Sequence, residues 1–122
     1  MVKTILIVDD EEVVVDIAKR KLLDLGFEVL TAGDGEFALT QLNWKIPDLI
    51  LLDIQMPKMN GYTFLMEKDK NPSFANVPII VITAYSGMEA LFKRHHVTHY
   101  LLKPLKLQEL LDKVVEILGP AC

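Results

Sequence analysis

The sequence predicts an α/β fold with a doubly wound parallel sheet of five strands. Short apolar runs of strand length alternate with segments of helical periodicity, and this alternation repeats five times along the chain. The first apolar run, TILIV (4–8), is continuous and β-branched, which is typical of a strand that helices cover on both faces. The length of 122 residues and the hydrophobic fraction of 51% are sufficient for one domain with a substantial core.

Five strands are predicted, each from an apolar run bounded by polar or turn-forming residues. In chain order they are TILIV (4–8), EVLTA (28–32), DLILLD (48–53), VPIIVIT (77–83) and HYLL (99–102). Pro47 closes the connection before the third strand, and Lys103-Pro104 ends the fifth, because proline cannot donate to a sheet ladder.

Five helices are predicted from periodicity together with start and stop signals. In chain order they cover residues 9–26, 35–45, 61–70, 86–94 and 107–118. The first begins with acidic residues, becomes basic towards its end and stops at Gly26. The fourth is shorter and weaker than the others. The last is strongly amphipathic and stops at Gly119-Pro120.

The second helix and the histidines give expectations about side-chain burial. In the second helix we expect Phe37, Leu39 and Leu42 to face inward and Trp44 to be partly buried. Three histidines lie close together in sequence, namely His95, His96 and His99. Their spacing matches no zinc pattern, so we interpret them as solvated loop residues and not as a metal site.

Strict alternation of strands and helices predicts parallel strands joined by right-handed crossovers. The common order for five strands is 2-1-3-4-5, the flavodoxin-like (βα)5 arrangement. Ligands in such sheets bind outside the carboxyl ends of the strands, where the strand order reverses, which here is between strands 1 and 3. The side chains expected to face that crevice are Asp9, Asp10, Asp53, Thr83 and Lys103.

Composition excludes several classes of function. The net charge of −4 argues against nucleic acid as a direct partner, because phosphate-backbone binding needs basic surfaces. No apolar run approaches the roughly 20 residues that span a bilayer, and the start of the chain does not resemble a signal peptide. The single cysteine, Cys122, allows no intramolecular disulfide. These features predict a cytoplasmic protein that contacts neither membrane nor nucleic acid.

The predicted crevice combines groups that suit phosphoryl chemistry on a carboxylate. Three aspartates repel one another, and both Lys103 and a hard divalent cation with oxygen ligands would relieve that repulsion. Each group also has a simpler explanation by itself. Asp10 is a candidate N-cap of the first helix, with Asp9 facing the crevice, and Asp53 is a candidate turn residue. Their joint placement at successive strand ends favours a functional site.

Four segments make the sequence similar to a known family. They are VDDEE (8–12), DIQMPKMNG (53–61), ITA (82–84) and YLLKP (100–104). Together they resemble the receiver domain of two-component response regulators, and the resemblance covers residues 1–122 as one receiver domain. It implies a signalling domain that assists its own phosphorylation and dephosphorylation and is not otherwise an enzyme.

The resemblance also implies a role for each site residue. Asp53 would be the phosphoacceptor, taking its phosphoryl group from a sensor histidine kinase or a phosphotransfer protein. Mg²⁺ (or Mn²⁺) would be held by Asp53, by Asp10 directly, by Asp9 partly through water and by the backbone carbonyl of Gln55. The charge of the site would be balanced by this cation and by Lys103.

Two further residues are implied as the switch. Thr83 would donate its hydroxyl to a phosphoryl oxygen, and Tyr100 would turn inward behind it. The Lys103–Pro104 peptide bond would be cis. Phosphorylation would shift the domain to an active conformation, read by an unknown downstream protein or a fused output domain, as a monomer or an activation-linked dimer.

One region departs from the family pattern. The stretch between Thr83 and Lys103 is about two residues shorter than is usual in the family, and RHHVTHYL (94–101) lacks the Gly-Ala pair that commonly precedes strand 5. We therefore expect a short or irregular fourth helix.

Two alternative functions stay open. A pseudo-receiver would keep the fold as an interaction module without phosphorylation. A small phosphohydrolase with an aspartate nucleophile would need a second acid two residues after Asp53, where this chain has Gln55.

Overall fold

The computed structural model describes residues 1–55, 59–84 and 97–122. Five parallel strands form one sheet in the order β2-β1-β3-β4-β5, which confirms the predicted flavodoxin-like order. The strands are β1 (Thr4–Val8), β2 (Glu28–Ala32), β3 (Leu49–Asp53), β4 (Ile79–Thr83) and β5 (Val97–Leu102).

Four helices are described. They are α1 (Glu12–Asp24), α2 (Gly35–Trp44), α3 (Gly61–Asp69) and the C-terminal helix (Leu107–Leu118). The helix predicted at 86–94 lies outside the described residues, as do Met56 and Pro57 of the loop after β3 and the pair His95 and His96. No helix in the described ranges is both long enough and apolar enough to cross a membrane.

The sheet divides the core into two layers. On one face, α1 and the C-terminal helix cover a buried cluster that includes Ile7, Leu51 and Ile82. On the other face, α2 and α3 cover a second cluster that includes Val8, Leu52 and Val81. Successive side chains of β1, β3 and β4 therefore enter opposite layers, and these strands are buried along their whole length.

The side chains that α2 buries against the sheet differ from the predicted ones. Its sheet-facing residues are Gly35, Ala38 and Leu42, which recur at helical spacing, and Leu39 is partly buried beside them. Phe37 is half-exposed and Trp44 is 78% exposed, so the predictions of their burial are wrong. Both side chains project away from the stripe that small and aliphatic residues form against the sheet.

The fifth strand begins two residues earlier than predicted. A register shift separates its first pair with β4, Ile79 with Val97, from the next pair, Ile80 with His99. His99 lies in this strand, as the strand predicted at 99–102 implied, and its interpretation as a solvated loop residue is wrong. Its Nε2 atom lies 3.2 Å from Glu116 Oε2 of the C-terminal helix, and its side chain is only partly exposed.

Candidate functional site

The carboxyl ends of β1 and β3 bring three aspartates together. Asp53 is the last residue of β3 and Asp9 directly follows β1, and both are buried. Exposed Asp10 joins them, and each of the three offers a carboxylate oxygen within 4.8 Å of the other two. The strand order thus produces the convergence that the sequence predicted.

Asp53 has a hydrogen-bond donor on each carboxylate oxygen. Its Oδ1 atom accepts the backbone N–H of Gln55 at 3.1 Å, and its Oδ2 atom accepts the ammonium of Lys103 at 3.2 Å. The side chain is only 1% exposed. Buried carboxylates need such compensation, since an isolated buried charge is strongly unfavourable. The predicted pairing of Asp53 with Lys103 is present in the structure.

The backbone places Lys103 beside Asp53. Its N–H donates to the carbonyl of Thr83 at 2.8 Å, which fastens the end of β5 to the end of β4. The Lys103–Pro104 peptide bond is cis, as the resemblance implied. The ammonium of Lys103, at the end of β5, lies within hydrogen-bond distance of Asp53 at the end of β3.

Glu11 is a site residue that the sequence analysis did not identify. Its Oε1 atom lies 2.9 Å from Lys103 Nζ, so one ammonium is shared between Glu11 and Asp53. Its backbone N–H donates to Asp9 Oδ1 at 2.9 Å. The available signal was its place in VDDEE (8–12), directly after the acid pair, although nothing in that run indicates which acid meets the lysine.

The hydrogen bond from the N–H of Glu11 to Asp9 Oδ1 lies just before the start of α1. The helix starts at Glu12, and Glu11 occupies the capping position without a side-chain capping bond. Asp9 and not Asp10 accepts a backbone N–H in this turn. The suggestion that Asp10 caps the first helix is therefore wrong, and Asp10 is exposed beside the two buried aspartates.

Electrostatics at the site are dominated by burial and by an excess of acids. The pKa of Asp9 is raised from 3.8 to about 6, chiefly by burial; the N–H of Glu11 opposes this rise, and the charge of Asp53 adds to it. Burial by itself lowers the pKa of Lys103. Hydrogen bonds to Glu11 and Asp53 and the charges of Asp53 and Asp9 outweigh that effect, so the pKa of Lys103 is raised.

Thr83 and Tyr100, the two residues implied as a switch, lie in the neighbouring strands β4 and β5. Thr83 is the last residue of β4 and is fully buried, opposite Leu102 of β5. Tyr100 is partly buried in β5 and packs against the core layer under α2 and α3.

The start of α3 lies close to Ile54, the residue after Asp53. A Cβ atom on Gly61 would lie 2.7 Å from the Cα of Ile54, a distance that side-chain carbons do not tolerate. The Oδ1 atom of Asn60 caps α3 by accepting the N–H of Thr63 at 2.9 Å. The absence of a side chain at Gly61 thus lets the start of α3 lie against Ile54, whose carbonyl accepts the N–H of Gly61 at 2.9 Å.

The donor set fits a hard divalent cation. All three grouped side chains are carboxylates, the ligand type that Mg²⁺ and Mn²⁺ prefer. Lys103 supplies one formal positive charge against Glu11 and the three grouped aspartates, which leaves an excess of negative charge at this edge of the sheet. The backbone of Gln55 is adjacent through its bond to Asp53, and ligation by its carbonyl stays a prediction.

A groove of about 330 Å³ opens beside the site. Its polar rim is formed by Asp9, Glu11 and Lys103. Its walls are mostly apolar and come from α1 and from the segment that follows Lys103, with Ile17 and Leu107 among them. The site therefore consists of a charged crevice with a largely apolar groove beside it.

Comparison with known proteins agrees with this geometry. The model of the response regulator receiver domain family matches residues 5–115. The probable transcriptional regulator ycf27 of Cyanophora paradoxa is 36% identical over 118 residues, which cover 95% of this chain and 48% of that protein. The chain spans about half the length of the curated relatives it matches.

Solved structures agree as well. Chemotaxis response regulator CheY4 of Vibrio cholerae has a TM-score of 0.89 at 29% identity, covering 97% of this chain and 100% of that one. The receiver domain of sensor histidine kinase PA1611 from Pseudomonas aeruginosa, which has a magnesium ion coordinated in its active site cleft, has a TM-score of 0.84 at 29% identity, covering 98% and 99%. From its fold, its clustered strand-end residues and these matches, the chain belongs to the response regulator receiver domain family.

Proposed function

We propose that residues 1–122 act as one phosphoaccepting receiver domain in a cytoplasmic two-component phosphorelay. In this proposal Asp53 takes a phosphoryl group from the phosphohistidine of a sensor histidine kinase or of a phosphotransfer protein. The observation that carries the proposal is the buried carboxylate of Asp53, bonded to Lys103 and grouped with Asp9 and Asp10. Membership of the receiver family supports it.

The chemistry needs positioning more than proton transfer. An oxygen of the Asp53 carboxylate would bond to phosphorus while the phosphorus–nitrogen bond of the donor breaks, and the electron pair would stay with the imidazole. An ionised carboxylate has no proton to lose, so no general base is required. Lys103 would stay within reach of a phosphoryl oxygen and balance its charge, and the hydroxyl of Thr83 would donate to another.

A divalent cation would complete the site. Asp10, Asp53 and the carbonyl of Gln55 would hold Mg²⁺ or Mn²⁺ directly, and Asp9 partly through water. When bound, the cation supplies positive charge to the phosphoryl oxygens. The three grouped carboxylates support this assignment, because they outnumber the ammonium of Lys103 and are the ligand type that such a cation prefers.

The groove beside Lys103 would receive the phosphoryl donor protein. Any protein that brings a phosphorylated side chain to Asp53 must cover the rim formed by Asp9 and Lys103, which is also the rim of the groove. Its apolar walls, together with half-exposed Ile17 and exposed Val13 on α1, offer surface that such a partner would bury. A sensor kinase or phosphotransfer protein is therefore the proposed occupant.

Output would follow from a change at Thr83 and Tyr100. New bonds from Thr83 to the phosphoryl group would favour an active conformation, and inward movement of Tyr100 would carry the change to β5 and its surroundings. A downstream protein or a fused output domain would read this state.

One assay tests the proposal against its alternatives. The chain is incubated with Mg²⁺ and acetyl phosphate, and intact mass and peptide mapping locate any added phosphoryl group. We expect one group on Asp53, its loss in Asp53→Asn, and no loss in the control Asp24→Asn, which alters an exposed acid at the far end of α1.

The other outcomes are equally distinct. A folded wild-type chain that gains no phosphoryl group would support the pseudo-receiver and reject the proposal. Sustained hydrolysis of phosphomonoesters that depends on Asp53 would instead indicate a phosphohydrolase.

A further inference from the structure

We infer that Glu11 is a positioning residue that competes with the phosphoryl group for Lys103 and so slows phosphorylation of Asp53. This inference rests on the proposed function, because it concerns the rate at which Asp53 is phosphorylated. Glu11 lies outside the group of three aspartates, and its effect would be to slow the phosphorylation that the other site residues promote.

The first observation is that Lys103 is shared. Its ammonium lies 2.9 Å from Glu11 Oε1 and 3.2 Å from Asp53 Oδ2, so the contact with Glu11 is the shorter of the two. An ammonium has three donors, but a phosphoryl oxygen that approaches Asp53 needs the same charge. Glu11 therefore binds the lysine ammonium that the incoming phosphoryl group needs.

The second observation is that the backbone of Glu11 is fixed. Its N–H donates to Asp9 Oδ1 at 2.9 Å, and α1 starts at the next residue. The side chain makes no capping bond to the helix. Its described polar contact is the one with Lys103, so the geometry directs the carboxylate to the rim of the site and assigns it no part in starting the helix.

The third observation is the charge change during transfer. With acetyl phosphate, an Asp53 oxygen bonds to phosphorus, the bond from phosphorus to the acetyl oxygen breaks, and acetate leaves with the electron pair. No proton is needed for this balance. The singly charged carboxylate becomes a doubly charged acyl phosphate, so its need for the charge of Lys103 grows along the reaction, and so does its competition with Glu11.

The size of the effect follows from exposure. The side chain of Glu11 is 53% exposed and that of Lys103 is 24% exposed, so solvent screens the pair. We expect Glu11→Gln to raise the initial rate of phosphorylation by acetyl phosphate about two- to fivefold at low ionic strength. Salt near 1 M should reduce the difference between the two rates, because a Debye length of about 3 Å weakens the interaction of exposed charges.

A matched control separates pairing from net charge. Glu12→Gln removes the same charge one residue later, from the first turn of α1, and leaves the bond between Glu11 and Lys103 in place. It should change the rate by less than half as much as Glu11→Gln. An equal gain from both variants would overturn the inference, since a general charge effect would then suffice.

A double-mutant cycle tests whether Glu11 acts through Lys103. In a Lys103→Met background, Glu11→Gln should leave the slow residual rate unchanged, because the shared cation is gone. A merely structural role would give the same ratio in both backgrounds. The inference is overturned if the gain persists without Lys103, or if Glu11→Gln does not accelerate a wild-type chain that is phosphorylated normally.

The failure of the proposed function looks different. In that case the wild-type chain itself would gain no phosphoryl group on Asp53. Circular dichroism and urea unfolding of each variant confirm that rates are compared between folded proteins.

Discussion

Lys103 and Lys68 are both withdrawn from solvent, yet their surroundings have opposite effects on their charge. Lys103 lies at the carboxyl edge of the sheet between Glu11 and Asp53, and its pKa is raised. Lys68 lies in the last turn of α3, towards the opposite edge, and its side chain is fully buried. The pKa of Lys68 is lowered to about 8, because burial lowers it and the charge of Asp69 offsets that effect only in part.

The difference lies in the partners. Lys68 donates to the carbonyl of Ala75 at 2.6 Å, and its closest approach to Asp69 is 4.0 Å. A carbonyl satisfies a donor but does not compensate a full charge. Lys103 instead meets carboxylates that themselves need a cation. The comparison indicates that Lys68 supports the turn before β4, whereas the charge of Lys103 belongs to the site.

The sharpest test of this comparison is phosphorylation of the two lysine variants. Lys103→Met should slow phosphorylation of Asp53 by acetyl phosphate about 10²-fold, the usual cost of removing one preorganised positive or donor group from a transition state. Lys68→Met should stay within about twofold, because Lys68 lies outside the site. The rates are measured by intact mass at fixed Mg²⁺. Equal losses in both variants would mean that folding and not charge explains them.

The second test concerns stability. Lys68→Ala should lower the free energy of unfolding by about 2–4 kcal/mol, because it leaves a cavity and removes the donor of the Ala75 carbonyl. Lys68→Met should cost less, since it keeps most of the volume. Urea unfolding measures both. The control Lys70→Met alters an exposed lysine paired with Glu67 and should change stability by at most about 0.5 kcal/mol. A Lys68→Ala protein as stable as this control would refute the supporting role.

The third test uses pH. Below pH 8 both the folded and the unfolded chain protonate Lys68, so the folded state bears the full cost of burying an ammonium. As pH rises, the folded state releases this proton near pH 8 while the unfolded state keeps it until about 10.5, so stability rises.

Relative to Lys68→Met, the wild type should gain roughly 2 kcal/mol between pH 8 and pH 10. The difference between the two proteins isolates Lys68 from the other lysines, whose titration is common to both. Parallel stability curves over this range would show that Lys68 titrates normally.

Much of the fold was predictable because its signals are local and mutually consistent. Continuous apolar runs gave all five strands, and the strand order then placed Asp9, Asp53 and Thr83 at one edge. The convergence of the aspartates needed only the topology, since the carboxyl ends of parallel strands share an edge.

The predictions that were wrong concern side-chain direction and partner choice. Phe37 is apolar and lies in a helix, but Ala38 and Leu42 define the buried stripe, and only packing against the sheet decides this. Glu11 and Glu12 are adjacent identical acids, yet only Glu11 is bonded to Lys103. That choice depends on the turn that Asp9 fixes and on a lysine 92 residues away. No local pattern carries such information.

The smallest expected effect concerns the divalent cation that we propose at Asp9, Asp10 and Asp53. The raised pKa of Asp9 means that, without a metal, the folded chain binds this proton more tightly than the unfolded chain, so stability falls as pH rises from about 4 to about 6. Mg²⁺ should offset that fall. At ten times its Kd it should stabilise the protein by about 1.4 kcal/mol at pH 7.5, and by less than half as much at pH 5, where a proton on Asp9 competes.

Thermal unfolding with and without Mg²⁺ at constant ionic strength measures this difference. Asp10→Asn should remove most of the gain, whereas Glu36→Gln, which alters an acid in the first turn of α2, should keep it. A gain that survives Asp10→Asn, or that is as large at pH 5 as at pH 7.5, would show that Mg²⁺ acts elsewhere. Lys103 would then balance the charge of Asp53 without a divalent cation. The contrast between Lys103 and Lys68 would in that case depend only on the protein groups around each lysine.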